Sequence, residues 1–182
     1  MFQIFTNANS VITANCGSLH SSDSGYFGRM ITLRQVVPTD DDVVQLIYAL
    51  NDYQINLYGV ENCNLESPAQ LVKHNAYMIG AFSEKELVGI GAVKIIDTYA
   101  EVKRMFVKET FRGRAIANRI LIELEMHVQR NGIFSVCLET GNLHHEAIAF
   151  YTRNGYQPVE FFGIYKPNAV SIYFSKQFPR PA

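Results

Sequence analysis

An α/β domain is predicted by three observations. Apolar residues alternate at period two in some segments and recur at helical spacing in others. A strand, a long amphipathic helix and a second strand follow one another between Ala100 and Thr140, the βαβ arrangement whose two strands lie parallel. Finally, 182 residues with 48 % apolar and 18 % charged content have the balance of one compact globular domain, with too little left over for a second core.

Taken in order, residues 31–37 alternate as a strand. Pro38, Thr39 and Asp40 then stop it and supply the N-cap of a helix carrying Val43, Val44, Leu46, Ile47 and Leu50. A second helical piece is expected from Tyr53 to Tyr58, a loop from Gly59 to Glu66, and a third helix from Ser67, with Pro68 in its first position. Residues 77–82 and 87–96 are apolar runs joined by four polar residues, which suits an antiparallel hairpin. Gly89 and Gly91 weaken the second run as a strand and mark either a bend or the close approach of a backbone or ligand. After a strand over residues 100–107 and a polar turn, a helix over residues 115–131 buries Ile116, Ile120, Leu121, Leu124 and Val128 and turns Arg119, Glu123 and Gln129 to water. A strand over residues 135–140, a helix over residues 144–154 and strands near residues 156–159 and 171–178 complete the sheet.

Residues 1–29 are rich in Ser, Asn and Gly and lack periodicity, so the chain divides into an appendage, 1–29, and a domain, 30–182. Met30 reads as a natural start behind an over-extended frame, or the leader serves as a lid or an oligomer contact, a homodimer included. The leader lacks the cationic start and apolar core of a signal peptide. No apolar run approaches the roughly 20 residues that span a bilayer, so no membrane partner is expected. Net charge is −1 with mixed signs, which argues against nucleic acid. Cys16, Cys63 and Cys137 are odd in number and far apart, which fits a reducing cytoplasm and neither zinc nor disulfides. His144 and His145 are adjacent and cannot form the i, i+4 pair of a helical metal site, so no metal is expected.

The segment Arg112-Gly113-Arg114-Ala115-Ile116-Ala117 lies between a strand and a helix with no acid in its first turn. A helix start leaves several N–H groups unpaired and carries about half a positive charge, so a diphosphate can rest there, with Arg112 and Arg114 adding charge. Small residues let an anion approach the backbone. An ordinary helix start is the alternative. Neither a G-x-x-x-x-G-K-[ST] loop nor a G-x-G-x-x-G turn is present.

In context these residues resemble the GNAT superfamily of N-acetyltransferases, whose coenzyme A signature is [QR]-x-x-G-x-[GA]. Arg112, Ala115 and Ala117 stand at its fixed positions, with Ala115 where the family usually has glycine. Glu101-Val-Lys-Arg-Met-Phe-Val107, Leu138-Glu-Thr-Gly-Asn142 and Ala147-Ile-Ala-Phe-Tyr-Thr-Arg-Asn-Gly-Tyr156 carry the rest of the likeness, which runs from Met30 to the C-terminus. It is greatest to small bacterial members with these strings together. The resemblance implies a mixed, mostly antiparallel central sheet with helices on both faces and a parallel pair, the fourth and fifth strands, splayed around an acyl-CoA slot. Acetyl-CoA is the implied co-substrate and a small-molecule amine the implied acceptor. A protein amine, or a sensor module that binds acyl-CoA without turnover, are the alternatives.

The resemblance also implies site residues. Met105, Phe106 and Val107 would pair their backbone with the pantetheine arm, a role compatible with core side chains, and a backbone N–H near Met105 or Phe106 would meet the oxyanion. Arg112 to Ala117 would hold the diphosphate; a helical angle at Ala115 would leave that cradle intact. Asn142 would touch the pantetheine, although capping the following helix is the structural reading. Tyr151 would protonate the departing thiolate, with aromatic packing as its alternative. Glu101 would accept the amine's proton, a salt bridge to Lys103 or Arg104 being equally compatible, and Glu139 is second choice. Cys137 sits mid-strand, so direct transfer in a ternary complex is expected rather than a covalent acetyl-cysteine.

Overall fold

A computed structural model describes residues 30–180. The expected appendage, with Cys16, lies outside the described residues. The element order is β1 (Ile31–Gln35), α1 (Asp41–Tyr58), α2 (Pro68–Lys73), β2 (Tyr77–Ser83), β3 (Glu86–Ile96), β4 (Tyr99–Val107), α3 (Ile116–Arg130), β5 (Ser135–Gly141), α4 (His145–Arg153), β6 (Gln157–Val159) and β7 (Ser171–Gln177). The strands form one seven-stranded sheet ordered β1-β2-β3-β4-β5-β7-β6, antiparallel except for the β4/β5 pair. This is the mixed, mostly antiparallel α/β sheet expected.

Apolar cores lie on both faces. On one, Ile116, Ile120, Leu121, Leu124 and Val128 of α3 meet Ala100 and Val102 of β4, together with Tyr151 of α4. On the other, Val43, Leu46 and Ile47 of α1 and Leu71 of α2 meet Met78, Ile90 and Ala92. Helical spacing therefore located the buried stripe of α3 correctly; Glu125 joins it because Lys176 neutralises it at 2.9 Å.

Two expected boundaries change. The pieces at 41–50 and 53–58 are one 18-residue helix, since the polar stretch between them is simply its exposed face. Asp40 precedes α1 but makes no side-chain cap; its carboxylate accepts the N–H of Val37 instead. The start of α2 matches expectation, with Ser67 and Gln70 bonding reciprocally in a capping box.

Gly91 shows why β3 carries glycine. A Cβ there would lie 2.5 Å from both Ile120 Cγ2 and Met105 Sδ, so the missing side chain is what lets α3 seat on the sheet beside β4.

Candidate active site

The site is built where β4 and β5 part. Parallel pairing covers only Ala100 with Val136, Glu101 with Cys137 and Val102 with Leu138. Past that point each strand keeps its outer neighbour: β4 stays on β3 as far as Val107 opposite Gly89, and β5 stays on β7 as far as Gly141 opposite Ser171. The two strands are thus held apart from outside, and their facing edges are left without each other.

A bulge in β4 begins the separation. Ile90 faces Phe106 and Ala92 faces Lys103, so Gly91 alone opposes both Arg104 and Met105. Arg104 takes φ +56, a left-handed angle that costs a side chain with a Cβ about 1–2 kcal/mol. Its guanidinium is 7 % exposed and donates to Asn51 Oδ1 at 3.0 Å, Glu66 O at 2.6 Å and Asn64 O at 3.4 Å, tying the bulge to α1 and to the segment before α2. Beyond the bulge the side-chain phase is reset: Met105 and Val107 pack toward α3, and Phe106 toward α1.

The opening leads into a cavity of about 900 Å³. Met105, Phe106 and Val107 line it along β4; Arg112, Gly113, Ala115, Ile116 and Ala117 line it at the start of α3; Tyr151 lines it from α4. At the α3 end the six consecutive N–H groups from Gly113 to Asn118 have no intramolecular acceptor among the described residues, and no acid occupies the first turn. A Cβ built on Gly113, at φ +75, would meet nothing within 4 Å, so the cradle is open. Such a concentration of free donors at a helix start suits a diphosphate. Arg112 stands at its edge, 3.6 Å from Glu146 and bonded through Nε to Val107 O at 3.3 Å.

Ala115 departs from expectation. Its angles are φ +56 and ψ 17, left-handed rather than helical, so this is indeed a position that glycine would occupy without strain. The cradle forms despite the alanine, whose side chain is exposed. Arg114 is exposed, stacks at 5.2 Å on Phe111 and is not part of the wall.

Tyr151 is 6 % exposed and lies edge-on to Phe150 and Tyr156, at 5.1 and 5.6 Å. Both sequence readings of it therefore hold geometrically: it is packed, and it faces the cavity. Its hydroxyl has no hydrogen-bond partner among the described residues, and burial raises its pKa well above the usual phenol value, so at neutral pH it is an uncommitted proton donor.

With Arg114, the structure leaves three expected residues away from the wall, the others being Glu101 and Asn142. Glu101 is 3 % exposed, within 3.0 Å of Lys103 Nζ and 3.6 Å of Lys94 Nζ, and accepts the hydroxyl proton of Tyr165 at 2.6 Å. Its ion pair is with Lys103, not Arg104. Asn142 neither caps α4 nor faces the cavity: its side chain donates to Ala169 O and its N–H to Val170 O, and His144 is the residue at the N-cap of α4. Glu139 accepts from Ser171 at 2.7 Å and Asn64 at 3.3 Å. Cys137 is buried mid-strand, and burial pushes its thiol pKa up, the wrong direction for a nucleophile.

Wall residues outside the expected site include Leu50, Phe111, Asn118, His144, His145 and Glu146. Phe111 directly precedes the signature and Leu50 reads as ordinary core, so neither carried a signal; His144 carried one, a histidine just past β5, but it was considered only as a metal ligand. Among the described residues no group of three or more His, Cys, Asp or Glu is arranged to hold a metal, and no helix is long and apolar enough to cross a membrane.

A split parallel strand pair that opens onto a cradle of free amides defines a class of site, one suited to an extended ligand with an anionic end. Comparison with known proteins narrows it. Residues 74–158 match the family model for the acetyltransferase (GNAT) domain. The chain is 36 % identical over 149 residues, 80 % of its length and 97 % of the relative's, to an IAA acetyltransferase of Azospirillum brasilense. It is 29 % identical over 79 residues, 43 % of its length and 49 % of the relative's, to a spermidine N(1)-acetyltransferase of Thermoplasma acidophilum. Among solved structures, PaiA N-acetyltransferase of Thermoplasma acidophilum in complex with coenzyme A superposes with a TM-score of 0.67 at 20 % identity, covering 82 % of this chain and 99 % of that one. The chain belongs to the GNAT family and is an acetyltransferase.

Proposed function

We propose that this enzyme moves the acetyl group of acetyl-CoA onto the primary amine of a small molecule, by direct transfer in a ternary complex in the cytoplasm. The observation that carries the reading is the continuity of one cavity from the free amides at Gly113–Asn118, along Met105–Val107, to the hydroxyl of Tyr151. The amides would hold the diphosphate, and the unpaired edge of β4 would pair with the pantetheine arm, carrying the thioester toward the bulge. There Tyr151 gives its proton to the sulfur as the C–S bond breaks.

The cavity of roughly 900 Å³ can admit the pantetheine arm and leaves space beyond it for an acceptor amine. A relative that acts on spermidine makes an amine nitrogen the natural acceptor. Glu101, expected as the base, is off the wall and held by Lys103, Lys94 and Tyr165, so it has no contact with the amine in this reading. The side chains of Asn142 and Arg114 have no contact role with the co-substrate in this reading, Arg114 contributing its N–H alone.

Thiol release from acetyl-CoA, followed with a panel of primary amines, tests the function. Tyr151→Phe should lower kcat by roughly 10²-fold or more while acetyl-CoA still raises the melting temperature. Initial rates with both substrates varied should give intersecting lines; parallel lines would replace direct transfer with a covalent intermediate.

A further inference from the structure

We propose that His144 accepts the proton of the incoming amine. This rests on the acetyltransferase reading above and assigns it a residue that the family resemblance did not supply. His144 follows β5 by three residues, beyond the point where β4 and β5 part, and shares the cavity wall with Phe106 and Tyr151.

Its ring is held in place from α1. Tyr53 stacks on it at 5.2 Å with planes 16° apart, and Tyr58 meets it edge-on at 5.3 Å. Tyr58 in turn is fixed, its hydroxyl accepting the N–H of Leu143 at 2.7 Å and its ring filling the space that a side chain on Gly141 would need. The ring's Nδ1 lies 3.5 Å from Thr140 Oγ1. Where Nδ1–H donates to that hydroxyl, Nε2 is the nitrogen with the free lone pair, and among the described residues Nε2 is buried without a partner. A buried polar atom with nothing to bond calls for an explanation, and a substrate nitrogen supplies one.

The charge state is suitable. Burial lowers the imidazole pKa, against the opposing pull of Glu139 on β5; α1 presents only the phenols of Tyr53 and Tyr58 to it, and its own helix adds His145 and Glu146. The ring is therefore neutral at pH 7. The rival carboxylates are engaged, Glu101 by Lys103, Glu139 by Ser171 and Glu146, 86 % exposed, by Arg112, while His145, the other histidine on the wall, is exposed at the start of α4.

The transfer balances as follows. A neutral amine attacks the thioester carbonyl carbon, and as the C–N bond forms Nε2 takes the proton that the nitrogen sheds. The C–S bond then breaks and the thiolate takes the Tyr151 proton. His144 returns its proton to solvent and Tyr151 recovers one, leaving amide and thiol.

Wild type, His144→Ala, His144→Gln and Glu101→Gln are compared for thiol release with phenethylamine, putrescine, spermidine and lysine, alongside melting with and without acetyl-CoA. Both His144 variants are expected to keep the acetyl-CoA melting shift and to lose roughly 10²-fold or more in kcat. They should also lose the fall in kcat/KM that wild type shows as pH drops below the ordinary histidine range, and His144→Ala should regain part of its rate with added imidazole. Variants within about threefold of wild type, or a loss with the acid limb intact and no imidazole rescue, overturn the proposal, as does a loss confined to Glu101→Gln. If wild type itself releases no thiol with any of the four amines while acetyl-CoA still shifts its melting, the amine-transfer reading fails, and His144 with it.

Discussion

Ala115→Gly is the sharpest test of how the cradle is built. The wild-type residue sits at φ +56, ψ 17 with an exposed side chain, so deleting its Cβ removes no packing. What it removes is the left-handed penalty, about 1–2 kcal/mol for a residue with a Cβ. Against this, glycine widens the unfolded ensemble, which costs about 0.4–1 kcal/mol. The balance favours the variant by roughly 1 kcal/mol, and in a domain of this size that is about 2–4 °C in Tm. Scanning fluorimetry and urea melts of both proteins measure it, and acetyl-CoA should bind the variant at least as tightly, since every cradle amide is retained. If Ala115→Gly melts below wild type, the residue is instead helical in solution, where glycine loses about 1 kcal/mol to alanine, and the strained cradle described above is refuted.

Other perturbations probe the same framework. Arg104→Gly keeps the backbone angle but removes three tethers, so it should lose roughly 3 kcal/mol in urea melts, and an unchanged midpoint would show that the guanidinium is no anchor. Gly91→Ala places a Cβ 2.5 Å from Ile120 Cγ2 and Met105 Sδ and should destabilise by roughly 1–3 kcal/mol; a change under about 0.5 kcal/mol would mean that α3 has slack there. Glu66 has its pKa held low: burial pushes it up, but hydrogen bonds from His74 and Lys94, and the charges of Lys94 and Lys103, outweigh that. Because the folded value lies below the unfolded one, its contribution is complete above the ordinary carboxylate range and drains away as pH falls through the lower folded value. The stability gap between wild type and Glu66→Gln should therefore narrow as pH falls below the ordinary carboxylate range, and a constant gap would contradict it.

Legibility in the sequence followed the locality of each signal. The α3 stripe, the Ser67 cap and the β2/β3 hairpin are decided by residues within one or two turns of each other, and all appear where expected. Position relative to other elements was harder. Asn142 and His144 are two residues apart, yet the first is drawn to Val170 on an incoming segment and the second to Tyr53 on α1, partners more than 25 and 90 residues away in the chain. Glu101 was read as base or ion pair, and only the fold reveals that Lys94, from the neighbouring strand, closes around it along with Lys103. The merger of two helical pieces into α1 has the same origin, since an exposed face lacks the apolar spacing that marks a buried one.

The backbone angles separate turn-making strain from site-making strain. Among the described residues five non-glycine positions have positive φ: Asn75, Glu84, Asp97, Arg104 and Ala115. Asn75 follows α2, and Glu84 and Asp97 occupy the tight turns before β3 and β4, where chain reversal accounts for them. Arg104 and Ala115 reverse nothing. One sits in the bulge where β4 leaves β5, the other where the cradle turns into α3, so they bracket the slot at its two ends. Local preference opposes both, and each persists because something else fixes it: buried hydrogen bonds to Asn51, Asn64 and Glu66 at the first, the seating of Ile116 in the core at the second. Among the described residues, strain outside the turns falls at these two points alone, which is the pattern the proposed binding of an extended co-substrate between them would require.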